Sequence, residues 1–233
     1  MTSTGSGTTA ATPSGSGSGS SSDGGLPDDG TQGCSEPAAT YDAFDDFSFE
    51  ANPTPGGPWQ YGATQGLGGT FTLFTEAITD NELQAWRHPG IIDPNVVKNP
   101  TDEPLQHPTA PIVFPAQDYL HVHPGPNDEP SLLRWTAPAD GAYRVDAEFI
   151  SLNTDGATTG VHIRHGDAAL LDGEIMRPTD VVAYAELHEL AAGDVIDFIV
   201  SDGGNGYASD STGVRATVTA MCSALGPSTS TRR

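Results

Sequence analysis

The chain has 233 residues, with 31 acidic against 9 basic side chains and a formal net charge of -22. That balance excludes nucleic acid and anionic membrane surfaces as partners, because both are gripped by basic patches. No run of about 20 apolar residues exists to span a bilayer as a helix.

In chain order, residues 1–33 (MTSTGSGTTAATPSGSGSGSSSDGGLPDDGTQG) form a Gly/Ser/Thr tract with almost nothing to bury. The expectation is a disordered linker or stalk over 1–40. A signal peptide needs a basic start and an apolar stretch, yet the first cation is Arg87. Such a linker ahead of a folded segment resembles the tether behind a secretion signal or lipoprotein anchor. An export signal upstream of Met1, and an extracellular or cell-surface location, are therefore expected. The acidity belongs to the folded part, since only Asp23, Asp28 and Asp29 precede residue 34. The two cysteines, Cys34 and Cys222, bracket the segment that should fold. A disulfide joining its ends is expected, because the termini of domains often lie close together. In the chain-entropy model a loop this long contributes about 5 kcal/mol at most.

From Tyr41 onward, short apolar runs alternate with Gly, Pro, Asn and Asp. GAYRVDAEFIS (141–151) puts Tyr143, Val145, Ala147 and Phe149 on one face and Arg144, Asp146 and Glu148 on the other. That period of two predicts a half-buried antiparallel strand. Further strands are predicted at TFTLF (70–74), PIVFP (111–115), DYLHVH (118–123), SLLRWTAP (131–138), TTGVHIRHG (158–166), DVVAYAELHEL (180–190), DVIDFIVSD (194–202) and GVRATVTAM (213–221). EAITDNELQAW (76–86) is the single stretch open to a helix. Residues 87–111 carry five prolines before Pro111. They read as a long irregular excursion that either carries binding surface or covers a sheet edge. The pattern predicts an all-β protein, an antiparallel β-sandwich of the jelly-roll kind over 41–222, with 223–233 as a flexible tail.

The motifs PWQYG (58–62), FTLF (71–74), HPGP (123–126), LRWTAP (133–138), LAAGDVIDFIV (190–200) and GNGYASDSTGV (204–214) resemble a β-sandwich module of exported bacterial proteins. The strand pair TAP-x-x-G-x-Y and L-x-x-GD-x-I-x-F is also similar to jelly rolls of carbohydrate-binding modules and of complement-like and tumour-necrosis-factor-like trimers. The resemblance spans roughly 45–220. It implies an extracellular, non-catalytic module that accompanies carbohydrate-active proteins, and it supplies no active site.

Candidate chemistry is sparse. His121 and His123 form a His-x-His with Asp128 and Glu129 behind it, but the glycine spacing of a cupin metal site is missing. G-x-S-x-G matches fall only in the N-terminal tract, and Ser211 has no evident histidine partner in the sequence. Carboxylates are too abundant to single out a pair for glycoside hydrolysis. Calcium is the expected cofactor, held by aspartate and carbonyl oxygens. The proposed ligands are Asp45 and Asp46 at the first strand and Asn205, Asp210 and Ser211 before the last, meeting where those strands pair. Asn153 and Asp155 in NTDG (153–156) form a second, incomplete set.

Sugar recognition needs aromatic faces for stacking, with amides and charged groups for hydroxyls. Trp86 and Arg87 at the mouth of the excursion, Asn205 and Tyr207 in the glycine-rich loop, and Trp59 are the candidates. Trp135, mid-strand in LLRWTAP, reads as core, and so do Trp59 and Tyr61, which share a strand face, ahead of a ligand role. The functional expectation is a non-catalytic glycan-binding module acting through loops near 86–108 and 203–212. The alternatives are a self-associating surface protein, in the manner of trimeric jelly rolls, and a cryptic lyase or hydrolase.

Overall fold

The computed structural model describes residues 39–221. Cys34 and Cys222 both lie outside the described residues, and so do the N-terminal tract and the C-terminal tail.

Sixteen strands occur among the described residues. The first half holds β1 (Thr40–Asp42), β2 (Trp59–Ala63), β3 (Thr72–Leu73), β4 (Glu76–Asp80), β5 (Leu83–Arg87), β6 (Asn95–Lys98), β7 (Leu105–Gln106) and β8 (Val113–Phe114). The second half holds β9 (Leu120–His123), β10 (Ser131–Thr136), β11 (Gly141–Ser151), β12 (Thr159–His165), β13 (Ala168–Ile175), β14 (Val181–Leu190), β15 (Val195–Ser201) and β16 (Thr212–Ala220).

Two antiparallel sheets carry the fold. The first runs β14-β11-β16-β9-β6-β5-β4, with β1 also pairing on β16, and the second runs β13-β12-β15-β10-β2-β3. The expected all-β sandwich is what the chain forms, and no helix occurs among the described residues. None is therefore long and apolar enough to cross a membrane.

The core lies between the sheets, and the alternation of each strand puts it there. Tyr143, Val145, Ala147 and Phe149 of β11 are buried, as are Val214, Ala216 and Val218 of β16. They meet Trp59 and Tyr61 of β2, Leu133 and Trp135 of β10, and Ile196, Phe198 and Val200 of β15. Because side chains alternate, the same strands turn a second set of residues outward. Those outward faces carry the functional candidates.

The stretch 76–86 is not a helix but the β4–β5 hairpin. Asp80 pairs with Leu83, leaving the two-residue turn Asn81-Glu82, with φ of 47° and 70°. Two left-handed residues in a two-residue loop match the twist of a hairpin, which a helix cannot accommodate. β13 is another strand that the predicted set did not include, as are β1, β2, β6 and β7. β13 is an edge strand whose alternation is broken by Gly173 and by acidic residues.

The proline-rich excursion is only partly irregular. It contributes β6 to the first sheet, and the chain after it folds back as the β7–β8 hairpin. Phe114, Leu105 and Ile112 then pack on Ala85, Val97, Ile78 and Leu83, forming a small second core on the outer face of that sheet. The excursion thus covers a sheet face rather than a sheet edge.

Candidate functional site

The covering is incomplete, and the gap is a cavity of about 210 Å³ on the outer face of β4, β5, β6 and β9. Leu120 and Val122 of β9 point into the core, so period-two alternation turns His121 and His123 outward, where both line the cavity. By the same logic β5 presents Arg87 and β6 presents Asn95, since Trp86 and Val96 face the core. Ile78, Leu83, Ile112 and Phe114 supply an apolar wall, and the exposed Ile92 stands beside it.

The polar groups are fixed in place. Arg87 Nε donates to Glu76 Oε2 at 2.6 Å, across the β4–β5 pair. Asn95 Nδ2 donates to Asp93 Oδ1 at 2.7 Å and to Ile92 O at 3.2 Å. His123 Nδ1 donates to Pro124 O at 2.8 Å, leaving Nε2 as the ring's remaining hydrogen-bonding atom. Burial pushes the Asp93 carboxyl up, and the nearby His123 and Arg87 pull it back. His121 Nε2 lies 3.1 Å from Ser211 Oγ, so the serine without an evident partner in the sequence has one in the fold. Burial holds the His121 imidazole well below the ordinary histidine range, and the ring is neutral. Two buried atoms of this group have no hydrogen-bond partner: His121 Nδ1 and Asn95 Oδ1. Such groups cost about 1–3 kcal/mol each while unpaired.

The loop 203–212 reaches the same cavity. Ser211 lines it, and the half-exposed Tyr207 ring stands edge-on to His123 with centroids 5.9 Å apart. Arg87 and Ser211 are therefore brought to one cavity from two distant segments, and Tyr207 touches it only through His123. Asn205 is exposed in the same loop, 3.2 Å from Thr158 Oγ1. Asp93, Asn95, His121 and His123 were not singled out as ligand-binding residues. The His-x-His pattern on a strand signalled His121 and His123, and nothing signalled Asp93 or Asn95 beyond their place in the 87–111 excursion.

Two tryptophan candidates lie elsewhere. Trp59 is fully buried and packs on Phe198 with ring centroids 6.0 Å apart. Trp86 is buried in the main core, and its Nε1 donates to Ser48 O at 2.8 Å. Neither presents a ring face to a ligand, because each sits on the inward register of its strand.

The expected calcium ligands do not converge. β1 pairs with the far end of β16: Ala43 N donates to Ala216 O, six residues from Asp210, or roughly 20 Å along an extended strand. Asp45 and Asp46 instead lie near enough to Lys98 to act on its charge, and Lys98 Nζ donates to Phe44 O at 2.6 Å and lies 4.2 Å from the Phe44 ring centroid. Asp210 is fully buried: Oδ1 accepts from Thr159 Oγ1 at 3.2 Å, Oδ2 has no partner, and burial pushes the carboxyl up to about 7. Asn153 is also buried, with Nδ2 donating to Ser209 O. Among the described residues no three His, Cys, Asp or Glu side chains are grouped to hold a metal ion.

No family model matches the chain, and no curated protein matches it. Solved structures similar to it include the carbohydrate-binding module CBM51 from Clostridium perfringens GH95, crystallised with methyl-galactose. The identity is 10% and the TM-score 0.35, over 78% of this chain and 99% of that one. A CBM4 structure is similar at 11% identity and a TM-score of 0.30, over 47% and 75% of the two chains. The tumour-necrosis-factor-like ligand GITRL of pika is similar at 13% identity and a TM-score of 0.26, over 40% and 78%. What the cavity can hold follows from its own residues.

Proposed function

We propose that the protein is a binding module for a neutral sugar, and that the cavity between β5, β6, β9 and the excursion is its binding site. One observation carries this reading. Fixed polar groups (Arg87, Asp93, Asn95, His123) face an apolar wall of Ile78, Leu83, Ile112 and Phe114 across one cavity. A pyranose ring has the complementary character, with hydroxyls around its edge and C–H groups on its faces. Concave, largely apolar sites with a few converging polar groups are the usual form of small-ligand pockets. At about 210 Å³ the cavity is smaller than the roughly 300 Å³ at which drug-sized sites begin. It therefore suits one terminal sugar unit rather than a stretch of chain. Arg87 and Asp93 provide a donor and an acceptor within one grip, which suits vicinal hydroxyls. Tyr207 stands behind the lining, edge-on to His123, on the side of the 203–212 loop. Nothing in this cavity requires bond making, so the role proposed for it is recognition, at a cell surface or outside the cell.

A glycan array probed with the full chain and with an Arg87→Ala variant tests the reading. Retention of glycans sharing one terminal sugar, lost in the variant, supports it. Retention of none, or equal retention by both proteins, contradicts it.

A further inference from the structure

The second sheet carries a different arrangement on its outer face. β13, β12 and β15 lie side by side there. His162 of β12 stands directly opposite Asp172 of β13, with Nδ1 2.7 Å from Asp172 Oδ1. On its other side Nε2 is 3.1 Å from the Oγ of Ser201, on β15. Val161 and Ile163 of β12 and Val200 of β15 point into the core, so alternation holds His162 and Ser201 on the outer side together. All three residues line a cavity of about 620 Å³, some three times the volume of the sugar cavity.

The order of contacts, hydroxyl to one imidazole nitrogen and carboxylate to the other, is the one that activates a serine nucleophile. We infer that Ser201, His162 and Asp172 form an acyl-transfer site that hydrolyses small acyl esters. This goes beyond sugar recognition and adds a reaction on the opposite face of the sandwich.

Two further features fit the assignment. Arg164 Nη2 also donates to Asp172 Oδ1, at 2.5 Å, so the carboxylate is held from two directions. His162 first, and Arg164 with it, keep that carboxyl below the usual carboxylate range. A Cβ on Gly160 would lie 2.4 Å from Ser201 Oγ and 3.1 Å from His162 Nε2, so glycine leaves room beside the reacting pair. Gly203 and Gly204, both with positive φ, line the same cavity and place bare main chain where the ester would sit.

The chemistry balances with water as the one co-reactant. Ser201 Oγ adds to the ester carbonyl carbon as its proton passes to His162 Nε2. Asp172 stabilises the imidazolium through Nδ1–H. The bond to the alcohol oxygen then breaks, and that oxygen takes the proton from Nε2. Water adds to the acyl carbon and gives its proton to Nε2, after which the bond to Oγ breaks and Oγ recovers the proton. The products are a free acid and an alcohol. Asp128, Glu174 and Asp202 rim the cavity. Their charge disfavours anionic esters and favours departure of the carboxylate product, so the substrate class is a neutral or cationic short-chain ester.

The full chain treated with a fluorophosphonate, followed by peptide mass mapping, is the direct test. A single adduct on Ser201 is expected, together with hydrolysis of p-nitrophenyl acetate that falls about 10³-fold in Ser201→Ala. An adduct elsewhere, no adduct, or undiminished hydrolysis in Ser201→Ala would overturn the assignment. Asp172→Asn should slow labelling of Ser201 at least about 10-fold, and labelling at the wild-type rate removes Asp172 from the role. The labelling arm needs no variant to fold. Sugar retention by the opposite face is unaffected by Ser201→Ala, so failure of one assignment is distinguishable from failure of the other.

Discussion

The His121 imidazole and the Ser211 hydroxyl are joined by a 3.1 Å hydrogen bond across the β9–β16 pair, and His121 Nδ1 has no partner. The bond ties the loop 203–212 to the strand that floors the proposed sugar cavity, so the energetics of the pair bear on the geometry of that cavity. Replacing His121 by Phe strands a buried hydroxyl and should cost about 1–3 kcal/mol. Adding Ser211→Ala removes the stranded group, and the double variant should recover most of the loss. Urea denaturation of the four proteins in this cycle checks the pattern. Additive losses would show that the bond contributes nothing.

Asp210 gives a pH signature with a defined sign. Its folded carboxyl titrates near 7, against an ordinary value of 3.8, with burial as the main cause. Between those limits the folded state binds more protons than the unfolded state, so this group makes stability fall as pH rises from about 4 to 7. An Asp210→Asn variant should show a flatter dependence of Tm over that window, and its advantage over the parent should be largest above pH 7. A parent and variant with parallel profiles would contradict the assignment.

Gly62 is a point of tight packing on the outer face of the second sheet. A Cβ there would lie 2.4 Å from both Phe71 Cε2 and Thr72 O. The Phe71 ring in turn covers the Arg134 guanidinium at 4.2 Å, and Arg134 makes two 2.7 Å bonds to Asp197. Because one of the close atoms is backbone, Gly62→Ala cannot be absorbed by a rotamer change and should cost about 1–3 kcal/mol. A thermal melt of this variant indistinguishable from the parent would show that the β2–β3 edge yields more readily than its packing implies.

Tyr207 and Trp86 should respond oppositely to substitution. Tyr207 is 37% exposed, so Tyr207→Ala should weaken sugar binding while leaving Tm within a few degrees. Trp86 is core, and Trp86→Ala should cost about 3–5 kcal/mol of stability. Paired melts and binding titrations separate the two. A Tyr207→Ala protein that binds sugar unchanged would remove Tyr207 from the site.

The sandwich was legible because its strands obey period two: the inward set of β11, from Tyr143 to Phe149, can be read off directly. The β4–β5 hairpin was not, because Asn81-Glu82 lacks the glycine that usually marks such a turn. For the sites, the sequence named loops near 86–108 and 203–212, with Arg87 as a sugar candidate and Ser211 as a calcium candidate, and both of these residues line the cavity proposed as the sugar site. It could not tell exposed from buried tryptophan, because Trp59 and Trp86 differ from ligand-facing residues only in strand register. Ser201, His162 and Asp172 were hidden for a related reason. Their proximity depends on cross-strand pairing, and with β13 unrecognised the His162–Asp172 pair had no hairpin to place it in. The calcium set failed on pairing too, since β1 meets the other end of β16.

The most direct test of the sugar-binding reading is an amide chemical-shift titration of the full chain with a panel of neutral methyl hexosides. A site filled by one ring should bind with a Kd on the order of 1 mM, equivalent to about -4 kcal/mol. Shifts from at least one sugar, clustered on Arg87, Asn95, His121, His123 and Tyr207, are the predicted result. Shifts confined to the opposite sheet, or none with any sugar in the panel, would contradict it.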